Sequence, residues 1–157
     1  MRNWLFKSEP STYSIDDLRN NPQQTDYWDG IRNYQARNLI RDDIKSGDKL
    51  LFYHSSAKPT GVAGTARVVR EAYPDPTAWD EKSPYFDPRS TPENPVWFMV
   101  DICFEEAFPE ILDLPRLRKI PELKNMMVLR RGMRLSIQPV TEAEFKAVVK
   151  HGKSPGA

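Results

Sequence analysis

Apolar and polar residues alternate along this chain in short stretches, and most of the stretches end at proline or glycine. Trp4-Leu5-Phe6 is an apolar run stopped by Lys7-Ser8-Glu9-Pro10, which predicts a first strand leaving into a turn. Ser14 before Ile15-Asp16-Asp17-Leu18 predicts a capped helix with acids in its first turn. That helix ends by Asn20-Asn21-Pro22, because the residue before proline disfavours helix. Trp28-Asp29-Gly30 signals a turn, after which Asn33 caps a helix over residues 34–44, ended by Ser46-Gly47. Residues 48–53 read as a strand running into His54-Ser55-Ser56.

A further strand is expected over 61–69, with Val62, Ala66 and Val68 on one face; Gly64 inside it predicts a bulge or a close backbone approach. Residues 73–95 hold six prolines and predict a long irregular excursion, of the kind that is functional or packed over something. Residues 96–104 alternate most cleanly, with Val96, Phe98, Val100, Ile102 and Phe104 on one face of a strand. Short helices follow over 114–120 and 123–129, broken by Pro121, then a last strand over 134–138 halted by Pro139. Thr141-Glu142-Ala143-Glu144 matches a capping box for a closing helix through Val149, and Gly152 to Ala157 reads as a frayed tail. The pattern predicts one α+β domain over 1–150 and a tail at 151–157. Its five or six strands form a curled sheet or small barrel with peripheral helices.

Composition narrows the class. The 157 residues suit one domain, and 39% apolar with 11% aromatic residues suffice for a core. Fourteen prolines against seven glycines point to stiff, defined loops. No apolar run is long enough to span a membrane, and the first residues lack a signal peptide's apolar stretch, so a cytoplasmic protein is expected, or a nuclear one in a eukaryote. The single Cys103 allows no internal disulfide, and with only His54 and His151 a zinc site is not expected. The net charge of +1 hides an asymmetry: residues 1–70 carry +3, residues 71–110 carry −8 and residues 111–157 carry +6. A basic face for a polyanion is compatible with that distribution, as is a solvated surface of mixed sign.

Catalytic signatures are poor. The chain has no dinucleotide-binding glycine pattern, and Gly152-Lys153-Ser154 lacks the upstream glycine of a phosphate loop, where Ala147 stands instead. Cys103 lies mid-strand without an adjacent histidine, and neighbouring His54 and Ser55 at a strand end do not face each other. Aromatics beside polar turns are more telling: Trp28 before Asp29-Gly30-Ile31-Arg32-Asn33, Tyr53 before His54-Ser55, Trp4 ahead of Lys7-Ser8-Glu9, and Trp79 within the proline-rich excursion. A pocket for a planar heterocycle needs a stacking face and fixed donors and acceptors at the ring edge. Ordinary core aromatics beside turns fit the same residues, and Trp4 and Trp97 read as core.

At these residues the chain resembles the EVE domain. The resemblance runs through Trp4-Leu5-Phe6-Lys7-Ser8-Glu9-Pro10 and through residues 28–38, beginning Trp28-Asp29-Gly30-Ile31-Arg32-Asn33. It continues at Tyr53-His54-Ser55, Tyr73-Pro74-Asp75-Pro76 and Arg134-Leu135-Ser136-Ile137-Gln138-Pro139-Val140, covering roughly residues 2–149 in order. It implies a PUA-like fold, a strongly bent mixed β-barrel with flanking helices, similar to YTH domains that hold a methylated adenine in an aromatic cage. It also implies a non-catalytic module for a modified base of DNA or RNA, particularly modified cytosine, with no cofactor, no metal and no membrane partner. On that resemblance Lys7, Ser8 and Glu9 line one wall, and Trp28, Asp29, Gly30, Ile31, Arg32 and Asn33 another. Tyr53, His54 and Ser55, with Ser136 and Gln138, complete the pocket.

The expected mechanism is capture of a flipped or unpaired base. Trp28 stacks on the ring, Tyr53 or Trp79 closes the other side, and Ser8, Asp29, Asn33 and Ser55 read the Watson–Crick edge. Lys7, Arg32, Arg37 and Arg134 are the candidates for phosphate contacts. Arg32 has a second reading, as a buried partner for Asp29 or Glu9. The alternatives are an enzyme of nucleic-acid or nucleotide metabolism with His54 or Glu9 as its acid–base group, and a binder of a free nucleobase derivative.

Overall fold

The computed structural model describes residues 1–154. Six strands form one mixed sheet: β1 (Asn3–Ser8), β2 (Thr25–Trp28), β3 (Lys49–His54), β4 (Gly61–Pro74), β5 (Phe98–Asp113) and β6 (Ile137–Val140), in the order β2-β5-β4-β3-β1-β6. Only β1 and β3 run parallel; every other neighbouring pair is antiparallel. Four α-helices flank the sheet: α1 (Ile15–Arg19), α2 (Tyr34–Asn38), α3 (Leu114–Arg118) and α4 (Glu142–Gly152).

The central strands are buried on both faces, and alternation assigns their side chains to two cores. Trp4 and Phe6 of β1 join Leu50 and Phe52 of β3 in one cluster with Ile15, Leu18 and Trp28. Leu5, Leu51 and Tyr53 point the other way, into a cluster with Leu117 of α3 and Val148 of α4. Each fully buried Leu or Phe of these strands contributes about 1.5–3 kcal/mol. Sheet curvature comes from bulges: the register shifts once between β3 and β4 and four times between β4 and β5. At one of them a Cβ on Gly64 would lie 2.0 Å from the Glu106 carbonyl oxygen, the close backbone approach expected there.

Several elements differ from expectation. The sheet bends but does not close, since β2 and β6 are its two unpaired edges. β2 is a strand where only a turn was expected. β4 and β5 run on to Pro74 and Asp113, because bulges interrupt the side-chain alternation without ending the pairing. The last strand is shifted to Ile137–Val140 and includes Pro139, which an edge strand tolerates because one side of it needs no N–H donor. The helix expected over 123–129 is two separate 3₁₀ turns, Pro121–Leu123 and Met127–Leu129. α2 ends at Asn38 and continues to Asp43 as a π-turn rather than as α-helix to residue 44. α4 reaches Gly152, past Val149, and of the expected tail residues 155–157 lie outside the described residues.

The proline-rich excursion is ordered by its own hydrogen bonds. Asp75 N–H donates to the Trp97 carbonyl at 3.0 Å, so its ends meet where Pro74 pairs with Phe98. Inside it, the amide of Asp87 donates to the Ala78 carbonyl at 2.7 Å, and the Trp97 indole donates to the Asp87 carboxylate at 2.8 Å.

Candidate functional site

A cleft of about 580 Å³ opens where the end of β1, the end of β2 and the proline-rich excursion meet. Lys7 and Ser8 of β1, with Glu9, Thr12 and Tyr13 from the turn beyond it, make one wall. Asp26, Tyr27 and Trp28 of β2, with Asp29, Gly30 and Ile31, make the second; Tyr85 and Ser136 complete the lining. The first wall is fixed by short local bonds. The Ser8 hydroxyl donates to the Tyr13 carbonyl at 2.6 Å, and the Glu9 carbonyl accepts from the amides of Thr12 and Tyr13 at 2.9 and 2.8 Å. The Tyr13 hydroxyl then donates to Asp26 Oδ2 at 2.6 Å, tying the two walls together. Burial, reinforced by that bond, pushes the Tyr13 hydroxyl well above its ordinary range, so it stays a donor.

Trp28 is a structural wall more than an open platform. It is 8% exposed, with ring centroids 5.4 Å from both Phe6 and Phe52 and 6.4 Å from Tyr13. Tyr27, 54% exposed, is the open aromatic of this wall. Asp29 beside it is the chemically distinctive group. Its carboxyl is raised above the usual range, first by burial and next by the charge of Asp75, with Arg32 pulling weakly the other way. A desolvated carboxylate facing a cleft is a strong acceptor for an N–H donor from a ligand.

Behind the second wall lies a buried latch. Asp75, with no exposed surface, accepts from the Gly30 amide at 2.9 Å, from Arg32 Nη1 at 3.1 Å, and from the amide and hydroxyl of Thr77 at 2.9 and 2.5 Å. Arg32 also donates from Nε to the Tyr85 carbonyl at 2.9 Å, and its guanidinium lies 5.6 Å from the Tyr85 ring centroid and 5.5 Å from that of Trp97. Gly30 has φ +78°, and a Cβ there would sit 2.6 Å from the Tyr85 ring. The glycine thus supplies both the left-handed turn and the space in which Tyr85 rests. Arg32 is a partly buried ion-pair partner, and its carboxylate is the fully buried Asp75 rather than Asp29 or Glu9.

Of the residues singled out in the sequence, Lys7, Ser8, Glu9, Trp28, Asp29, Gly30, Ile31 and Ser136 line this cleft. The others are engaged elsewhere. Asn33 Oδ1 caps α2 by accepting from the Ala36 amide at 3.0 Å. His54 Nε2 accepts from the Ile15 amide at 3.1 Å, and burial lowers its proton affinity, which keeps the ring neutral. Tyr53 is buried in the second core, and Gln138, 1% exposed, donates to the Leu135 carbonyl at 2.8 Å. The Ser55 amide donates to the Ser8 carbonyl at 2.9 Å and pins the end of β1 from behind. Trp79 belongs to the 3₁₀ turn Pro76–Trp79, and Arg134 is exposed outside the lining. Arg37 donates to the Val96 carbonyl at 2.9 Å. Sequence reasoning missed Thr12, Tyr13, Asp26, Tyr27 and Tyr85. The phenol next to Trp28 was the available signal for Tyr27, whereas Tyr85 lies in a stretch with no periodicity.

Among the described residues no group of three or more His, Cys, Asp or Glu is arranged to hold a metal ion, and no helix is long and apolar enough to cross a membrane.

Comparison with known proteins places this chain in a family. Human thymocyte nuclear protein 1 is 42% identical over 163 residues, covering 93% of this chain and 72% of the human one. The crystal structure of the human protein in complex with DNA containing 5-methylcytosine superposes with a TM-score of 0.90 at 40% identity, over 98% of this chain and 99% of that one. A hypothetical protein from Leishmania major gives a TM-score of 0.92 at 44% identity, over 100% of this chain and 98% of its own. A Pseudomonas syringae protein gives 0.89 at 41%, over 96% and 99%. These neighbours have the PUA-like fold, and the sequence profile of the EVE domain matches residues 2–151. The chain belongs to the EVE domain family.

Proposed function

We propose that the chain binds DNA carrying a modified base, with 5-methylcytosine as the preferred mark, and holds that base in the cleft between β1 and β2. The observation that carries this reading is the human relative crystallised with 5-methylcytosine DNA, at a TM-score of 0.90. The chemistry of the cleft supports it. A carboxylate is the natural acceptor for the exocyclic amino group of cytosine, and Asp29 offers one already stripped of much of its water. Tyr27 and Tyr85 supply aromatic surface, and Ile31 apolar surface against which a methyl group gains contact. Stacking contributes about 1–3 kcal/mol per base and extrusion from a duplex costs a few kcal/mol, so the two nearly cancel. A methyl group adds about 1–3 kcal/mol, which limits discrimination to roughly 10–200-fold.

The reading is one of binding without chemistry. Of the two acid–base groups an enzymatic alternative would use, Glu9 lines the cleft, whereas His54 lies outside the lining with its Nε2 occupied by a backbone amide. The deciding experiment titrates matched oligonucleotides carrying cytosine, 5-methylcytosine, 5-hydroxymethylcytosine or methylated adenine, as DNA and as RNA, with Asp29→Asn as control. The expected result is a preference for methylated cytosine in DNA, with affinity for the cytosine series falling at least about tenfold in the variant. Equal affinity for all bases, unchanged by Asp29→Asn, overturns the proposal.

A further inference from the structure

Residues 130–134 carry three arginines on a segment that adjoins the cleft lining without being part of it. The Met133 amide donates to the Arg130 carbonyl at 3.2 Å, closing a turn whose third residue, Gly132, has φ +76° and open space around it. A left-handed glycine at that position is what a type II turn requires, and it leaves Arg131 at the tip. The turn is anchored to the cleft, since Lys7 Nζ donates to the Met133 carbonyl at 3.1 Å. Ser136, a lining residue, follows Arg134 by two positions, and two residues of chain reach at most about 7 Å. Arg130, Arg131 and Arg134 are exposed, and among the described residues none of them reaches a carboxylate. Among the described residues their side chains make a single hydrogen bond, a long one of 3.5 Å from Arg130 to the Asn125 carbonyl. Arg32 and Arg37, by contrast, are committed to Asp75 and to the Val96 carbonyl. Across the cleft stand Asp26 of β2, at the far end of the sheet order, and Asp29 just beyond that strand. Among the described residues Glu9 is the one carboxylate of the near wall, where Lys7 and the three adjoining arginines outnumber it, so the formal charge changes sign from one rim to the other.

We infer that the arginine turn grips the phosphodiester backbone on one side only of the nucleotide held in the cleft, so that the strand lies across the mouth with a fixed polarity. The inference rests on the base-binding reading above. A strand laid the other way carries its phosphates past Asp26 and Asp29 and gains nothing from the arginines. Phosphate contacts give affinity and register without reading sequence, so the grip sets orientation while the cleft sets base preference.

The test uses single-stranded DNA with one 5-methylcytosine at the 5′ end, the centre or the 3′ end, titrated at several salt concentrations. The parent protein is compared with R130Q/R131Q/R134Q and with the matching triple lysine variant. Removing one flank is expected to weaken binding by about tenfold and removing the other much less. The glutamine variant loses that asymmetry, and its slope of log affinity against log salt is shallower by about 2, from three contacts on a single strand. It keeps the ratio of 5-methylcytosine to cytosine affinity, and the lysine variant restores most of the slope. Equal dependence on both flanks, or an unchanged slope in the glutamine variant alongside an intact methyl preference, overturns the grip and leaves the base-binding reading standing. A parent protein with no base preference removes that reading and the inference with it. Circular dichroism and a melting curve establish that the exposed substitutions leave the fold in place.

Discussion

An alanine methyl at position 30 would meet the Tyr85 ring 2.6 Å away, on a backbone already at φ +78°. Gly30→Ala is expected to lose about 1–3 kcal/mol in a urea titration and to displace Tyr85 from the cleft, weakening ligand binding beyond the loss of stability. Trp28 carries a different lesson. Its ring packs against Phe6, Phe52 and Tyr13, so Trp28→Ala removes core before it removes a ligand contact. The expected loss is about 3–5 kcal/mol, and a melting curve has to accompany any binding measurement on that variant. Asp29→Asn is the cleaner probe, since Asp29 is only half-buried and no structural ion pair depends on it. Much of the cleft lining was legible at this scale, because Trp28-Asp29-Gly30-Ile31 keeps lining residues next to one another in the chain. What stayed hidden was which polar groups the fold itself consumes. Arg32, Asn33 and His54 are the residue types of a binding site, but a carboxylate 43 positions away, a helix terminus and a backbone amide claim them.

His54 joins two elements, the end of β3 and the start of α1, and this link is pH-dependent. Burial lowers its proton affinity, with Asp16 and Asp17 opposing more weakly. Below about pH 6.5 the unfolded chain takes up a proton that the folded chain resists, so stability falls as the pH falls and is regained as the pH rises. His54→Gln keeps an acceptor and removes the titration, so its unfolding free energy between pH 7 and 5 is expected to fall less steeply than that of the parent. Element by element, the sequence pattern located β1, β3, α1 and the closing helix, whose caps and apolar runs are local signals. It stopped β4 and β5 short because bulges break the period of two on which strand recognition depends. β2 was invisible: four residues ending in one buried Trp make no alternation, and only pairing of Thr25 to Trp28 with Cys103 to Val100 makes them a strand. Thr12 and Tyr13 reach the cleft through the turn that Glu9 organises, a placement set by hydrogen bonds and not by periodicity.

Over the whole molecule the charge is segregated, −8 over residues 71–110 against +6 over residues 111–157, at a net charge of only +1. With so small a net charge, attraction of a polyanion has to be local rather than global. The association rate with a DNA oligonucleotide is expected to fall steeply as ionic strength rises from 0.02 to 0.2 M, over which the screening length shrinks from about 20 Å to about 7 Å, while dissociation of the seated base changes less. Stopped-flow fluorescence separates the two rates, and an association rate indifferent to salt contradicts the expectation. The segregation was readable from the sequence, but where it falls relative to the cleft was not, because Lys7 and Met133 become neighbours only through the fold. The proline-rich excursion has one more consequence. Its two ends meet at the bond between Asp75 and Trp97, bonds among its own residues are joined to the second wall through Arg32, and it supplies Tyr85 to the cleft. Lengthening a loop whose ends already touch costs little closure entropy. The excursion is thus a cassette that can be exchanged around one fixed partner: an insert that keeps acceptors for Arg32 between the same two anchor points would recut one wall of the cleft, and with it the shape of ligand it admits, while leaving the sheet behind it intact.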